Sequence, residues 1–418
     1  MFQSRSLWFL FLALIIIQSC KSSKEFSGFS YDPEGATETI TKQIEPQYKH
    51  TIGIASDGVW LSNEFKGARL NNFYKANDTL YQAVIEPENS PINNSPWYAF
   101  KAWAAVDTTV WIKLSYKHGE HRYVPKLSKD GTSWKRINPQ DYRLSRRDSS
   151  AFLRLSLDKT PLWVSAQELR TQQWFAQWAD SMARQSFITQ DTIGYSHQQR
   201  PIRRLAITEV PDDEERGVVI ITGRLHPPEV TGNMAAFAFL EELASDSELA
   251  QNFRQNFEVI TYPFANPDGV QNGHWRHNAG GVDLNRDWKN FNQPETQSIR
   301  DDLYSRLKNN AKAKVYYGID FHSTDENIFY PINREVETFP DDFTYRWLDA
   351  IMADFPGINF TVEPFDTSSP ITKNWIYHTF GADAVTYEVD DRADRNELEK
   401  ISRRAAQLMM QQLLEVNS

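Results

Sequence analysis

A histidine and a glutamate, His226 and Glu229, stand three residues apart, shortly after the strand-like apolar run at residues 218–221. Neutral imidazole and carboxylate are both zinc ligands, and two ligands supplied by one turn need only a third to form an open catalytic site. The pair alone is a weak signal, because an isolated H-x-x-E match is usually a surface histidine and glutamate. Its meaning depends on whether the other residues of a zinc hydrolase follow in order.

Further polar motifs do follow, several of them at the ends of apolar runs. In chain order they are Asn266-Pro267-Asp268-Gly269, Trp275-Arg276, Gly281-Val282-Asp283-Leu284-Asn285-Arg286, Ile319-Asp320-Phe321-His322-Ser323 and Ala384-Val385-Thr386-Tyr387-Glu388. His322 is distant from His226 along the chain, so a local metal loop is excluded and only a folded sheet can bring the two together.

This series of motifs resembles the zinc carboxypeptidases (funnelins). The proline after His226 and the spacing from Arg276 to Asn285 resemble the cytosolic carboxypeptidase branch more than the digestive enzymes. The resemblance covers residues 166–418 firmly and the preceding region more loosely. It implies a zinc-dependent metallocarboxypeptidase that hydrolyses the C-terminal peptide bond of peptides or proteins.

The resemblance implies a role for each ligand position. His226, Glu229 and His322 would bind zinc, a set of two histidines and one carboxylate that leaves a fourth position open. Asp283 would accept a hydrogen bond from His226 and so fix its tautomer and orientation. On sequence alone, an ordinary turn aspartate remains a serious alternative for Asp283.

The same resemblance implies the catalytic and substrate-binding residues. Glu388 would be the general base, and its apolar neighbours would raise its pKa if it is buried. Arg276 would stabilise the developing oxyanion. Asn285 and Arg286 would hold the terminal carboxylate of the substrate, which a planar guanidinium can pair bidentately. The backbone carbonyl of Ser323 would contact substrate.

One position suggests a substrate preference. Trp375 matches a tryptophan that often precedes the catalytic glutamate in the family, and the resemblance implies that the residue two before it, here Lys373, would line the specificity pocket. A basic residue there predicts preference for C-terminal Glu or Asp, whereas a solvent-facing lysine is the alternative. The family's mobile active-site tyrosine has no clear counterpart: counting back from Glu388 reaches Asp366, and Tyr377 is near but not aligned.

The elements that must position these residues begin with a strand-rich region. Residues 31–160 show short alternating runs broken by turn residues, which is typical of half-buried strands and predicts an antiparallel β-sandwich domain. The predicted strands include residues 59–61, 81–85, 97–103, 110–114 and 152–155. We expect their aromatic residues to lie in the core rather than on a carbohydrate-binding face.

From residue 166 to 418 strand-like and helical runs alternate, which predicts an α/β/α sandwich with a mixed, mostly parallel sheet. Strands are expected at 218–222, 257–262, 315–321 and 384–389, and helices at 166–184, 232–244, 294–309, 345–354 and 396–415. Sites in such sheets gather at the carboxyl ends of strands, where His226, His322 and Glu388 all stand.

The first residues read as a targeting segment. An apolar run too short to span a bilayer precedes Cys20, the one cysteine of the chain, in a context that resembles a bacterial lipobox. We therefore expect a signal peptide at 1–19, lipidation of Cys20 and a tether at 20–30, with an incidental cysteine as the alternative. The protein would be exported and lipid-anchored on the periplasmic or cell-surface side.

Composition limits the remaining classes. The net charge of −10 argues against nucleic-acid partners and against membrane contact other than through the N-terminal lipid. We expect a monomer that acts on peptide or protein C-termini. Two alternatives remain: a zinc amidase that trims cell-wall peptides or acyl-amino acids, and a zinc-free surface receptor, which the presence of every ligand and of Glu388 disfavours.

Overall fold

The computed structural model describes residues 42–417 except 146, 309 and 365. The predicted signal peptide, the tether and Cys20 lie outside these residues. Among the described residues, no helix is both long and apolar enough to cross a membrane.

The N-terminal region folds into two facing sheets that enclose one apolar core. The six-stranded sheet has the order β1-β2-β5-β11-β7-β8, and the five-stranded sheet has the order β3-β4-β6-β10-β9. Every strand pair in them is antiparallel except β4 with β6. The strands are β1 Thr51–Ile54, β2 Val59–Ser62, β3 Asn72–Asn77, β4 Leu80–Ile85, β5 Ala99–Ala104, β6 Thr108–Tyr116, β7 Lys126–Ser128, β8 Lys135–Arg136, β9 Tyr142–Ser145, β10 Ser150–Leu157 and β11 Leu162–Ser165.

The C-terminal region is built on one eight-stranded mixed sheet with the order β12-β13-β15-β14-β16-β19-β17-β18. Its four central strands, β15, β14, β16 and β19, are parallel to one another. These strands are covered on both faces, so most of their residues are buried. The strands are β12 Ile188–Tyr195, β13 Pro201–Ile207, β14 Arg216–Gly223, β15 Phe257–Tyr262, β16 Ala313–Thr324, β17 Asn327–Pro331, β18 Phe360–Val362 and β19 Asp383–Asp390.

Helices cover both faces of this sheet. They are α1 Gln172–Met182, α2 Val230–Leu243, α3 Glu248–Arg254, α4 Pro267–Asn272, α5 Pro294–Leu307, α6 Phe343–Asp354, α7 Thr372–Phe380 and α8 Arg395–Asn417, with short 3-10 turns at Pro139–Asp141 and Leu284–Arg286. One apolar cluster holds α1, α2, α3, α6 and α8 against one face, and a second holds α5 and α7 against the other. The predicted α/β/α sandwich is therefore confirmed.

The N-terminal and C-terminal regions also pack directly against each other. Trp275 and Val230 of the C-terminal region are fully buried in the apolar cluster of the N-terminal sandwich. Arg69 of the sandwich is also buried, and its Nε donates to the carbonyl of Gly273 at 2.7 Å. The sandwich therefore packs directly beside the segment that carries Arg276.

Candidate active site

Three parallel central strands deliver the predicted site residues to one edge of the sheet. His226 follows the end of β14, while His322 in β16 and Glu388 in β19 are directly paired in register. Paired residues of neighbouring strands project to the same face, so the two side chains meet without any special loop. The carboxyl edge of the sheet is therefore where the sequence motifs converge, as predicted.

The turn between β14 and α2 places His226 and Glu229 side by side. Arg224 takes a left-handed backbone conformation, with φ of 56°, which turns the chain away from the strand. Its buried guanidinium donates to the carbonyl of Pro227 at 2.9 Å and to Oδ1 of Asn233 at 3.1 Å. These bonds tie the turn to the first turns of α2, so His226 and Glu229 have a fixed relation.

His226, Glu229 and His322 form a group whose possible ligand atoms all lie within 4.8 Å of one another. Nδ1 of His226 lies 2.8 Å from Oε1 of Glu229, Nδ1 of His322 lies 2.7 Å from Oε2, and the two Nδ1 atoms are 3.2 Å apart. All three side chains are buried.

Carboxylates behind the two histidines decide which ring nitrogens face the group. Nε2 of His226 lies 2.8 Å from Oδ1 of Asp283, and Nε2 of His322 lies 2.8 Å from Oδ2 of Asp320. A carboxylate can only accept, so each Nε2 donates to its carboxylate, and each Nδ1, the nitrogen that faces Glu229, is the atom that would bind a metal once it is deprotonated. The two Nδ1 atoms and the Glu229 carboxylate are thus directed at one point, where protons or a metal ion can balance the negative charge. The residues present therefore fit zinc, for which two histidines and a carboxylate are an established ligand set.

Asp283 has a second bond that the sequence did not indicate. Its Oδ2 accepts from Nε of Arg276 at 2.6 Å, so one carboxylate orients both a metal ligand and the predicted oxyanion-stabilising arginine. Although burial opposes ionisation, Arg276 and His226 hold the pKa of Asp283 well below its usual range. The carboxylate therefore stays charged at any working pH.

Glu388 is half-buried beside the metal-binding group, and its Oε2, which is buried, has no hydrogen-bond partner among the described residues. Burial, with the nearby Glu229 carboxylate, raises the pKa of Glu388 to about 7. A carboxyl group with its pKa near neutrality can accept a proton in one step and return it in the next. A buried oxygen without a partner is costly in a folded protein, which is typical of a group kept for chemistry rather than stability.

An open cleft of about 370 Å³ joins these groups. The predicted residues that line it are His226, Glu229, Arg276, Asn285, Arg286, Ser323 and Glu388. His322 and Asp283 lie behind this surface, in contact with the lining residues.

The predicted carboxylate clamp is fixed by neighbouring elements. Oδ1 of Asn285 accepts from both the backbone and the hydroxyl of Thr372, each at 3.1 Å, at the start of α7. Nδ2 of Asn285 lies 3.2 Å from Nε2 of His322, and Arg286 donates to the carbonyl of Asn285 at 2.9 Å. Arg286 is therefore held at the cleft wall through a residue that also touches the metal-binding group.

Ser323 forms hydrogen bonds with both regions of the protein. Its hydroxyl accepts from the backbone N–H of Gly232 at 2.7 Å, which joins α2 to β16. Its carbonyl accepts from Nη2 of Arg122 at 3.1 Å, and Arg122 in turn pairs with Asp391 at 2.7 Å. Arg122 belongs to the N-terminal sandwich, so both regions of the protein line the cleft.

Lys373 is fully buried in the first turn of α7, so the solvent-facing alternative is wrong. Its Nζ donates to the carbonyl of Pro331 at 3.3 Å, and burial lowers its pKa to about 7. Asp366 is buried and accepts from the hydroxyl of Ser369 at 2.6 Å. Neither Lys373, Asp366 nor Tyr377 is among the described residues that line the cleft.

Sequence reasoning missed three residues of this site: Asp320, Arg122 and Tyr330. Asp320 had a signal, because it stands two residues before His322 in a strand and must share its face. Tyr330 lines the cleft from β17, where it is paired with Thr386. Arg122 had no sequence signal, since only the packing of the two regions brings it to the cleft.

Comparison with known sequences gives the family. The zinc carboxypeptidase family model matches residues 175–408. Cytosolic carboxypeptidase 6 of Mus musculus is 29% identical over 36% of this chain and 29% of its own length. Cytosolic carboxypeptidase 3 of the same organism is 24% identical over 74% of this chain and 33% of its own length. The matches therefore span only about a third of these curated relatives.

Comparison with solved structures supports the same fold over a larger part of the chain. A putative carboxypeptidase A from Shewanella denitrificans OS-217 has a TM-score of 0.69 at 17% identity, over 85% of this chain and 98% of its own. A metallo-carboxypeptidase from Pseudomonas aeruginosa, in complex with (2-guanidinoethylmercapto)succinic acid, has a TM-score of 0.69 at 17% identity, over 85% and 99%. Together with the match of the family model to residues 175–408, the ordered motifs and the His-Glu-His group establish that this chain belongs to the zinc carboxypeptidase family.

Proposed function

We propose that this protein is a zinc-dependent metallocarboxypeptidase that releases the last residue of peptides or proteins. One observation carries the proposal: a single cleft is lined by His226 and Glu229 of the metal-binding group, by Glu388 with its partnerless carboxyl oxygen, and by Arg276 and Arg286. A general base, an oxyanion-stabilising cation and a cation for a terminal carboxylate are the parts that peptide-bond hydrolysis at a chain end requires.

Each residue has a definite task in this proposal. Zinc bound by His226, Glu229 and His322 would polarise the scissile carbonyl and acidify the attacking water. Glu388 takes a proton from that water and returns it to the leaving amine. Arg276 stabilises negative charge on the carbonyl oxygen. Arg286 binds the terminal carboxylate, and because only a chain end offers that anion, cleavage is confined to the last bond.

The preference for acidic C-terminal residues is a finer proposal and depends on Lys373. This buried ammonium lies next to Thr372, which contacts Asn285 of the clamp. Its pKa is lowered to about 7 by burial, so an incoming carboxylate would supply the counter-charge that favours the protonated form. Reaching the cleft would require the side chain to leave the carbonyl of Pro331, which accepts a long hydrogen bond of 3.3 Å.

The activity is tested by measuring release of the C-terminal residue from Glu-ended, Leu-ended, Lys-ended and diaminopimelate-containing peptides. Glu388→Gln should abolish turnover while zinc still binds, because the amide keeps the shape but cannot accept the proton. Glu335→Gln, a change at an exposed loop residue, is the matched control. Full activity in Glu388→Gln would contradict the proposal, and release from diaminopimelate peptides alone would favour the cell-wall amidase.

We propose further that Cys20 carries a lipid that anchors the protein to a bacterial membrane on its periplasmic or cell-surface side. The support is the apolar run at residues 7–17, shortly before Cys20, and the lack of any other cysteine. Labelling with a radioactive fatty acid should mark the wild type and not Cys20→Ser. Equal labelling of both proteins would contradict lipidation at this residue.

A further inference from the structure

A glutamate of the N-terminal sandwich reaches the backbone of the segment that carries Arg276. Glu88 follows β4 and is fully buried. Its carboxylate accepts from the backbone N–H of Trp275 at 2.6 Å, of Arg276 at 2.9 Å and of His277 at 2.7 Å. Three consecutive N–H groups thus converge on one side chain.

These bonds matter because residues 274–283 belong to no helix or strand that could hold them. Buried backbone N–H groups must find acceptors, and here a single residue of the other region supplies them. Arg69 lies 3.7 Å from the Glu88 carboxylate and supports its charge. Although burial opposes ionisation, His274, His277 and Arg69 lower the pKa of Glu88 to about 2, so the acceptor stays charged.

The position of the Arg276 side chain is then determined at both ends. Glu88 fixes its backbone, and Asp283 accepts from its Nε at 2.6 Å. Asp283 also orients His226. A continuous series of short charged hydrogen bonds therefore leads from the N-terminal sandwich, through Arg276, to a residue of the metal-binding group.

We propose that Glu88 is a positioning residue for the hydrolytic reaction: it holds Arg276 where the guanidinium meets the carbonyl oxygen of the scissile bond. This rests on the proposed function. It gives the N-terminal sandwich a task in the chemical step, beyond its packing against the C-terminal region. Glu88 itself touches neither substrate nor zinc.

The test is Glu88→Gln in the full-length protein. The amide keeps the size of the side chain but replaces one acceptor oxygen with a donor, which faces backbone N–H groups. A displacement of the oxyanion-stabilising group by about 1 Å is enough to cost up to about 100-fold in rate. We expect kcat to fall about tenfold to 100-fold, with KM within about threefold and zinc content unchanged. Glu86→Gln is the control, because Glu86 is two residues away and pairs with the exposed Lys117 at 2.7 Å.

A double-mutant cycle separates positioning from general destabilisation. If Glu88 acts through Arg276, adding Glu88→Gln to Arg276→Ala should lower kcat by less than about threefold. An equal loss on both backgrounds, or wild-type kcat in Glu88→Gln, would overturn the inference. If Glu88→Gln does not fold, Glu88→Asp keeps the charge and withdraws it from the N–H groups, and wild-type kcat there would overturn the inference too. A wild type without any turnover would instead refute the proposed function.

Discussion

Adding one methyl group at Gly232 should weaken zinc binding from outside the metal-binding group. Gly232 lies in the first turn of α2, where the helix crosses β16. A Cβ at this position would lie 2.1 Å from the carbonyl oxygen of His322 and 2.5 Å from its carbonyl carbon. Both atoms belong to the backbone, so neither can rotate away from the added methyl group as a side chain could. The Gly232→Ala variant must therefore move the helix away from the strand.

The size of the effect follows from these distances. Ordinary contact begins near 3.4 Å, so the helix and strand must separate by more than one ångström. Glu229 is at the start of that helix and His322 is in that strand, with Oε2 and Nδ1 only 2.7 Å apart. A zinc site tolerates deviations of only about 0.2 Å in its metal–ligand distances. Overpacking of this kind costs about 1–3 kcal/mol, and if this cost falls on the metal-bound state, zinc affinity drops about fivefold to 150-fold.

Zinc affinity would be measured by competition with a chelator, alongside the thermal unfolding midpoint of the metal-free protein. Gly357→Ala is the matched control, because a Cβ there meets no atom within 4 Å and its φ is ordinary. We expect the control to match the wild type in both measurements. Wild-type zinc affinity in Gly232→Ala, with or without a lower unfolding midpoint, would refute the reasoning, since the helix shift would not have reached the ligands.

Three further predictions concern Asp320, Arg286 and Lys373. Asp320→Asn should lower zinc affinity about tenfold to 100-fold by replacing the carboxylate behind His322 with a neutral amide, and unchanged chelator competition would contradict this. Arg286→Ala should lower kcat/KM about tenfold to 100-fold for peptides with a free terminal carboxylate. The low kcat/KM of the wild type for C-terminally amidated peptides should be unchanged in the variant. An equal loss on both kinds of peptide would argue against the clamp. Lys373 is protonated below its pKa of about 7, so the kcat/KM ratio of Glu-ended to Leu-ended peptides should fall as pH rises through neutrality. In Lys373→Met that ratio should be low at every pH, and a pH-independent wild-type ratio would contradict the assignment.

The sequence predicted the residues that lie at strand ends. The end of an apolar run marks the end of a buried strand, and residues just beyond the ends of neighbouring parallel strands lie at the same edge of the sheet. His226, His322 and Glu388 were placed by this rule. The outer strands β12, β13, β17 and β18 were not predicted, because they are short or partly polar and lack the long apolar runs of the central strands.

The pocket wall around α7 could not be predicted in the same way. Sequence spacing selects Lys373, but whether its side chain faces solvent, the cleft or the interior depends on how α7 rotates against the sheet. In the structure Thr372, Lys373 and Asn374 are all buried, which no helical polar pattern would suggest. The direction of a polar side chain at the start of a helix depends on tertiary packing. The substrate preference must therefore be measured, whereas the set of metal ligands could be predicted from the sequence.

The N-terminal sandwich cannot be treated as a separate module beside a complete enzyme. Arg122 pairs with the buried Asp391 and donates to the carbonyl of Ser323, a residue of the cleft wall. Glu88 holds the backbone around Arg276. Removing one partner of a buried ion pair costs about 3–5 kcal/mol because the other charge stays buried, so substitution of Arg122 alone should disturb the cleft wall. Substitutions in the sandwich that leave its own core intact should therefore still change turnover, because two walls of the cleft depend on its side chains.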